Sequence, residues 1–133
     1  MDKVFQLLLG VALAVLFISF AKAGGHRREL QIYCLGLVVA ALLYVAFSVT
    51  VASYAWLMIE IIGAAIFTLV AVLGLRVSPW FLSLGWAAHI LWDVLLHLVF
   101  QQAFVPSWYP VVCVSFDITV AGTIALKLRK RHQ

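Results

Sequence analysis

The sequence predicts an all-α fold: a polytopic membrane helix bundle of five transmembrane helices, with the N-terminus outside and the C-terminus cytoplasmic. Three observations carry this expectation. Of 133 residues, 66% are hydrophobic and only 11% charged, whereas a soluble domain is near half apolar and about a quarter charged. The mean hydropathy is +1.15, and the apolar residues gather into five runs, each near the roughly 20 residues that a spanning helix needs. Eight of the nine basic residues fall in three places that five alternating spans put on one side, the positive-inside pattern of cytoplasmic loops.

The first run covers about 4–21. Gly10 and Ala14 in it have the small-residue spacing that lets helix backbones approach closely. The second covers about 30–49 and repeats that spacing at Gly36 and Ala40. The third covers about 54–75 and begins with Tyr54 and Trp56, residues suited to the membrane–water interface. The fourth, about 80–100, follows Pro79 and begins with Trp80. The fifth, about 108–128, begins with Trp108 and Tyr109 and has Pro110 in its first turn, where a missing N–H costs little. The linkers are short: 22–29, a few residues around Thr50, 76–79 and 101–107. The whole chain, 1–133, therefore reads as a single transmembrane domain with no internal repeat.

Lys22, Arg27 and Arg28 lie between the first two spans, Arg76 between the third and fourth, and Lys127, Arg129, Lys130 and Arg131 in the C-terminal tail. Lys3 stands alone on the other side, balanced by Asp2. Ala21-Lys-Ala23 after the first run resembles a signal cleavage site. Cleavage there would put these basic residues on the wrong side, so the first run is expected to remain a helix. The net charge of +4 then reflects insertion, and nucleic acid is not an expected partner. The expected surroundings are the lipid bilayer of the inner (plasma) membrane, crossed several times. Cys34 and Cys113 fall within apolar runs, with no CxxC motif and no disulfide framework.

Function has to be read from the polar groups inside the spans. His89, Asp93 and His97 stand four residues apart in Gly85-Trp-Ala-Ala-His-Ile-Leu-Trp-Asp-Val-Leu-Leu-His97. On an α-helix, steps of four keep them on one face with a drift of about 40°. Ionisable groups are costly in hydrocarbon and mark functional sites by default. Glu60 and Asp117 join them from the third and fifth spans. Counted from the expected outer ends, Glu60 lies roughly 9 Å deep, Asp117 roughly 13 Å and Asp93 roughly 12 Å. Three carboxylates at similar depth on three helices predict one polar pocket in the outer half of the bilayer.

Imidazole and carboxylate together suit a divalent metal such as Zn, Fe or Mn. The candidate ligands are His89, Asp93, His97, Asp117 and Glu60. His89 and His97 are about 12 Å apart along an α-helix, so they are not expected to share one ion without a helix break. Asp93 is about 6 Å from either and becomes the central group, for one ion or as a bridge between two. Glu60 and His97 are the candidate catalytic proton carriers where they are not ligands. Ser115, Thr119 and Tyr54 are candidate supporting donors, and Trp86 and Trp92 read as packing. His26 and His132 lie in basic segments and read as solvated.

Gly85-Trp86, His89, Trp92-Asp93 and His97, followed by Pro106, Cys113 and Asp117, resemble the signature of a family of small bacterial integral membrane proteins of unknown function. The resemblance covers about 84–122. The family pattern carries a His-His pair where this chain has Leu96-His97. No activity follows from the resemblance, which supports only the grouping of His89, Asp93, His97 and Asp117.

Three function classes fit these residues. The first is a membrane metalloenzyme acting on an apolar or lipid-like substrate. The second is a proton or divalent-metal transporter or channel subunit, for which five helices imply a homo-oligomer. The third is a structural membrane subunit held together by buried hydrogen bonds. The inner half of the bundle lacks ionisable groups away from its ends, which favours the first.

Overall fold

A computed structural model of the chain describes residues 2–51, 53–99 and 105–131, with side chains for all of these except 50, 51 and 97–99. The described residues form α1 (Lys3–Lys22), α2 (His26–Val51), α3 (Tyr54–Arg76), α4 (Trp80–Trp92), a π-helical continuation of α4 (Asp93–Val99), and α5 (Trp108–Arg131). The helices match the five expected runs. They extend further into the polar ends, α2 by starting at His26 and α5 by reaching Arg131. Hydropathy marks the part of a helix that lies in hydrocarbon, whereas backbone hydrogen bonding continues into the charged interface. α1, α2, α3 and α5 are long and apolar enough to cross a membrane; the apolar helix Trp80–Leu96 is shorter.

The helix starts follow local chemistry. Asp2 caps α1, its Oδ1 accepting from the Phe5 N–H at 2.7 Å. Ser53 caps α3, its Oγ accepting from the Trp56 N–H at 3.3 Å. Both satisfy first-turn donors that have no partner inside the helix. α2 instead starts after Gly25, whose φ of 93° lies in the region open to glycine.

Each helix packs against its neighbours in sequence, and α1 closes the ring by packing along α5, while α4 also reaches α2. α1 shows why. Its buried residues are Gln6, Gly10, Ala14, Ile18 and Ala21, a narrow stripe of mostly small side chains. A Cβ on Gly10 would stand 2.3 Å from the Val112 carbonyl oxygen and 1.9 Å from Ser115 Oγ. Only glycine permits that approach of α1 to α5. Outside the stripe, Val4, Leu8, Leu16 and Phe20 are exposed. A small, tightly packed inner face with large apolar groups outside is the arrangement lipid favours, because helices in lipid associate through close packing of small residues while large apolar side chains are at home among the lipid tails.

The core holds an aromatic group of Phe17, Tyr33, Trp86 and Phe116, with Phe17 centred 5.9 Å from Tyr33, 6.1 Å from Trp86 and 5.4 Å from Phe116. Gly36 makes room for it, since a Cβ there would lie 2.6 Å from the Phe17 ring. Trp86, expected as packing, is buried in this group. A second, smaller cluster forms around Tyr44 and Val105.

α4 changes its helix geometry at Asp93. The Asp93 N–H still reaches the carbonyls of His89 and Ile90, but from Asp93 to Val99 the backbone is π-helical. The wider π ring takes more residues per turn, so the 3.6-residue period of α4 ends at Trp92. Short π segments inside helices recur at functional sites. The His97 side chain and residues 100–104, where the fourth span was expected to end, lie outside the described residues.

Candidate metal centre

His89 and Asp93 are one helical turn apart, which puts both side chains on the face of α4 turned to the bundle interior. α5 packs along that face and brings Asp117 to them. His89 Nδ1 lies 2.8 Å from Asp117 Oδ2 and 3.5 Å from Asp93 Oδ2. α2 supplies a fourth group: the Tyr44 hydroxyl donates to Asp93 Oδ1. All four side chains are withdrawn from the surface, with relative exposures of 0% for Tyr44, His89 and Asp93 and 1% for Asp117.

Rings wall the cluster. Phe67 of α3 stands edge-on to the His89 imidazole at 5.0 Å, and Tyr44 lies 5.8 Å from it. Trp92 meets Phe67 at 5.7 Å, and Tyr109 meets Tyr44 at 5.4 Å.

Glu60 is buried on α3, and its Oε2 accepts from Trp92 Nε1 at 3.1 Å. Trp92 can lie this close because position 63 is glycine; a Cβ there would stand 2.3 Å from the Trp92 ring. Glu60 thus holds the residue preceding Asp93. The three-donor group does not include it.

The three donors fit a metal ion by placement and by chemistry. His89, Asp93 and Asp117 each offer one ligand atom, all within 4.8 Å of one another. Donors bonded to one ion at about 2.1 Å lie at most about 4.2 Å apart, close to this spacing. His89 Nε2, Asp93 Oδ2 and Asp117 Oδ1 are buried and lack a hydrogen-bond partner among the described residues. Buried polar atoms are normally paired, and the orphaned oxygens of Asp93 and Asp117 belong to the two carboxylates that both approach His89 Nδ1.

Charge points the same way. Two buried carboxylates are costly in an apolar interior unless compensated. A divalent cation held by two carboxylates and a neutral imidazole gives zero net charge. The surrounding bonds also suit ligands: a metal-bound histidine typically donates its other N–H to a carboxylate, and bound carboxylates are themselves hydrogen-bonded. Asp93 with Tyr44 has that form.

Of the expected site residues, the structure brings His89, Asp93 and Asp117 together and places Glu60 one residue removed, through Trp92. Sequence reasoning missed Tyr44. The available signal was a hydroxyl in the middle of an apolar span, at a depth where a phenol needs a partner. Tyr54, expected as a supporting donor, is 78% exposed. Ser115 and Thr119 turn back on their own helix, donating to the carbonyls of Val112 at 3.0 Å and Ser115 at 2.8 Å, as such residues commonly do mid-helix.

A family model described as a family of unknown function (DUF6010) matches residues 1–127. No curated protein and no solved structure matches the chain.

Proposed function

Because the chain belongs to the DUF6010 family, a family of unknown function, its activity must be read from its own site, and we propose that it is a membrane metalloenzyme with an intramembrane centre ligated by His89, Asp93 and Asp117. The observation that carries this reading is the convergence of three buried donors from two helices, each with an unpartnered polar atom. The donor set of one imidazole and two carboxylates suits Zn, Fe or Mn. Bound there, such an ion supplies a Lewis acid and lowers the pKa of a bound water.

The chain's own residues have separable roles. Asp93 and Asp117 both approach His89 through Nδ1, so this is the ring nitrogen that faces the proposed centre. Tyr44 fixes Asp93 and can pass a proton to it along their hydrogen bond. Phe67, Tyr44 and Trp92 exclude water and offer an apolar surface, which favours an apolar or lipid-like substrate. Glu60 and His97 are the proposed proton carriers. The Glu60 role is supported by its burial and its bond to Trp92; that of His97 rests on its position in the sequence. The distribution of basic residues supports an N-terminus outside, a cytoplasmic C-terminus and residence in the plasma membrane.

The series of polar contacts Tyr44–Asp93–His89–Asp117 supports a second reading, a proton or divalent-metal pathway in a homo-oligomer, because carboxylate and histidine chains also serve as relays.

Metal analysis of the purified protein separates the two. A stoichiometric metal that is lost in Asp93→Asn, with the helical fold retained, supports the metalloenzyme. A folded protein that stays metal-free after reconstitution with each of the three ions overturns it. Ion flux in proteoliposomes that disappears in Asp117→Asn favours the pathway.

A further inference from the structure

A second polar site lies at the opposite, basic end of the bundle. A cavity of about 560 Å³ opens between the end of α1, the start of α2 and the end of α5, with Lys22, Gly25, His26, Glu29, Lys127 and Lys130 in its wall. It shares no residue with the His89 cluster.

The charge accounting of this cavity is one-sided. The chain has five acidic residues. Asp2 caps α1 at the far end, and Glu60, Asp93 and Asp117 belong to the buried centre and its border. Among the described residues Glu29 is therefore the one carboxylate at the basic end, and it is already engaged. It is buried, accepts from the Tyr33 hydroxyl at 2.9 Å through Oε1, and pairs with Lys127 through Oε2. Lys22 and Lys130 remain as cations with no carboxylate left to meet them.

Neutral donors add to them. Arg131 Nη1 lies 2.9 Å from His26 Nε2. A guanidinium can only donate, so Nε2 accepts, and the imidazole carries its proton on Nδ1. That Nδ1 is enclosed and has no hydrogen-bond partner among the described residues. Gly25 precedes α2, with its carbonyl accepting from the Glu29 N–H at 2.9 Å. Having no side chain, it cannot cap the first-turn N–H groups of a 26-residue helix. Open N–H groups at a helix start favour an anion.

We propose that this cavity binds a phosphate group, held by Lys22 and Lys130, by the His26 Nδ1–H and by the first turn of α2. Two sources carry that chemistry: the headgroup of an anionic phospholipid and free inorganic phosphate. Leu126 in the same wall gives an acyl chain an apolar exit, and basic pockets between helices at this level recognise anionic headgroups.

The test uses the full chain in detergent–lipid micelles, with native mass spectrometry reading retained phosphatidylglycerol against phosphatidylcholine, and a parallel melting titration with inorganic phosphate. Preferential retention of phosphatidylglycerol identifies the lipid. A saturable phosphate-induced rise in melting temperature without lipid preference identifies the free anion. In either case Lys22→Gln and Lys130→Gln each weaken binding about fivefold and together about thirtyfold. His26→Phe weakens it while keeping all the lysines. Arg129→Gln removes the same charge from outside the cavity wall and leaves binding unchanged. A loss with Arg129→Gln equal to that with Lys22→Gln overturns the proposal, and so does a protein that shows neither lipid preference nor a response to phosphate.

Discussion

The Tyr44 hydroxyl donates to Asp93 across 49 positions of sequence, tying the middle of α2 to the first residue of the π segment. Asp93 in turn faces His89, which is bonded to Asp117 of α5. One series of polar contacts therefore joins three helices.

Tyr44→Phe removes the donor and keeps the ring. Losing a hydrogen bond to a buried carboxylate costs about 1–3 kcal/mol. Where Asp93 is a ligand, removing its supporting donor lowers metal affinity by about 10–100-fold. Competition with a calibrated chelator measures the affinity, and thermal unfolding in detergent measures the stability. An unchanged affinity would remove Asp93 from the ligand set.

Glu60 separates a hydrogen-bonding role from a proton-carrying one. Glu60→Gln keeps an oxygen for Trp92 Nε1, so the melting temperature should stay within about 2–4 °C of wild type. Glu60→Leu strands the indole N–H and should cost about 1–3 kcal/mol. If Glu60 carries protons, turnover or flux falls in both variants. Full activity in Glu60→Gln would limit the residue to orienting Trp92.

Two glycines make a matched pair. Gly63→Ala drives a methyl group into the Trp92 ring, whereas a Cβ on Gly122 meets nothing within 4 Å. Overpacking of the first kind costs about 1–3 kcal/mol. Gly122→Ala should be neutral or stabilising by up to about 1 kcal/mol, the helix-propensity difference. Chemical denaturation of both variants checks the contrast, and equal stabilities would contradict the close approach of Trp92 to α3.

The orientation follows from charge alone and can be tested directly. Reporter fusions should place the C-terminus after Arg131 in the cytoplasm and the N-terminus outside. Neutralising Arg129, Lys130 and Arg131 together should weaken that bias. A C-terminal reporter active only outside would reverse the assignment and put the His89 cluster nearer the cytoplasm.

Much of the architecture was legible because its causes are local. Apolar runs of about 20 residues become helices where they enter lipid, since a helix satisfies the backbone within the segment itself. The starts at Lys3 and Tyr54 are within a residue of the reading, helped by Asp2 and Ser53 as caps. The grouping of Asp93 with Asp117 was also legible, because depth along a span is simple counting. The partner of each group was not. Glu60 has a similar depth but bonds to Trp92, and Tyr44 carries no charge to mark it.

By itself the sequence determined the membrane class, the five helices and their order, all of which are sums over neighbouring residues. Only the tertiary structure decided that Tyr44 meets Asp93, that Asp117 meets His89 and that Glu60 bonds to Trp92. Those outcomes depend on the rotation of each helix about its axis. That rotation is set by close contacts between distant residues, Gly10 with Ser115 and Gly63 with Trp92, and by the change to π geometry at Asp93, which no local pattern of hydropathy encodes.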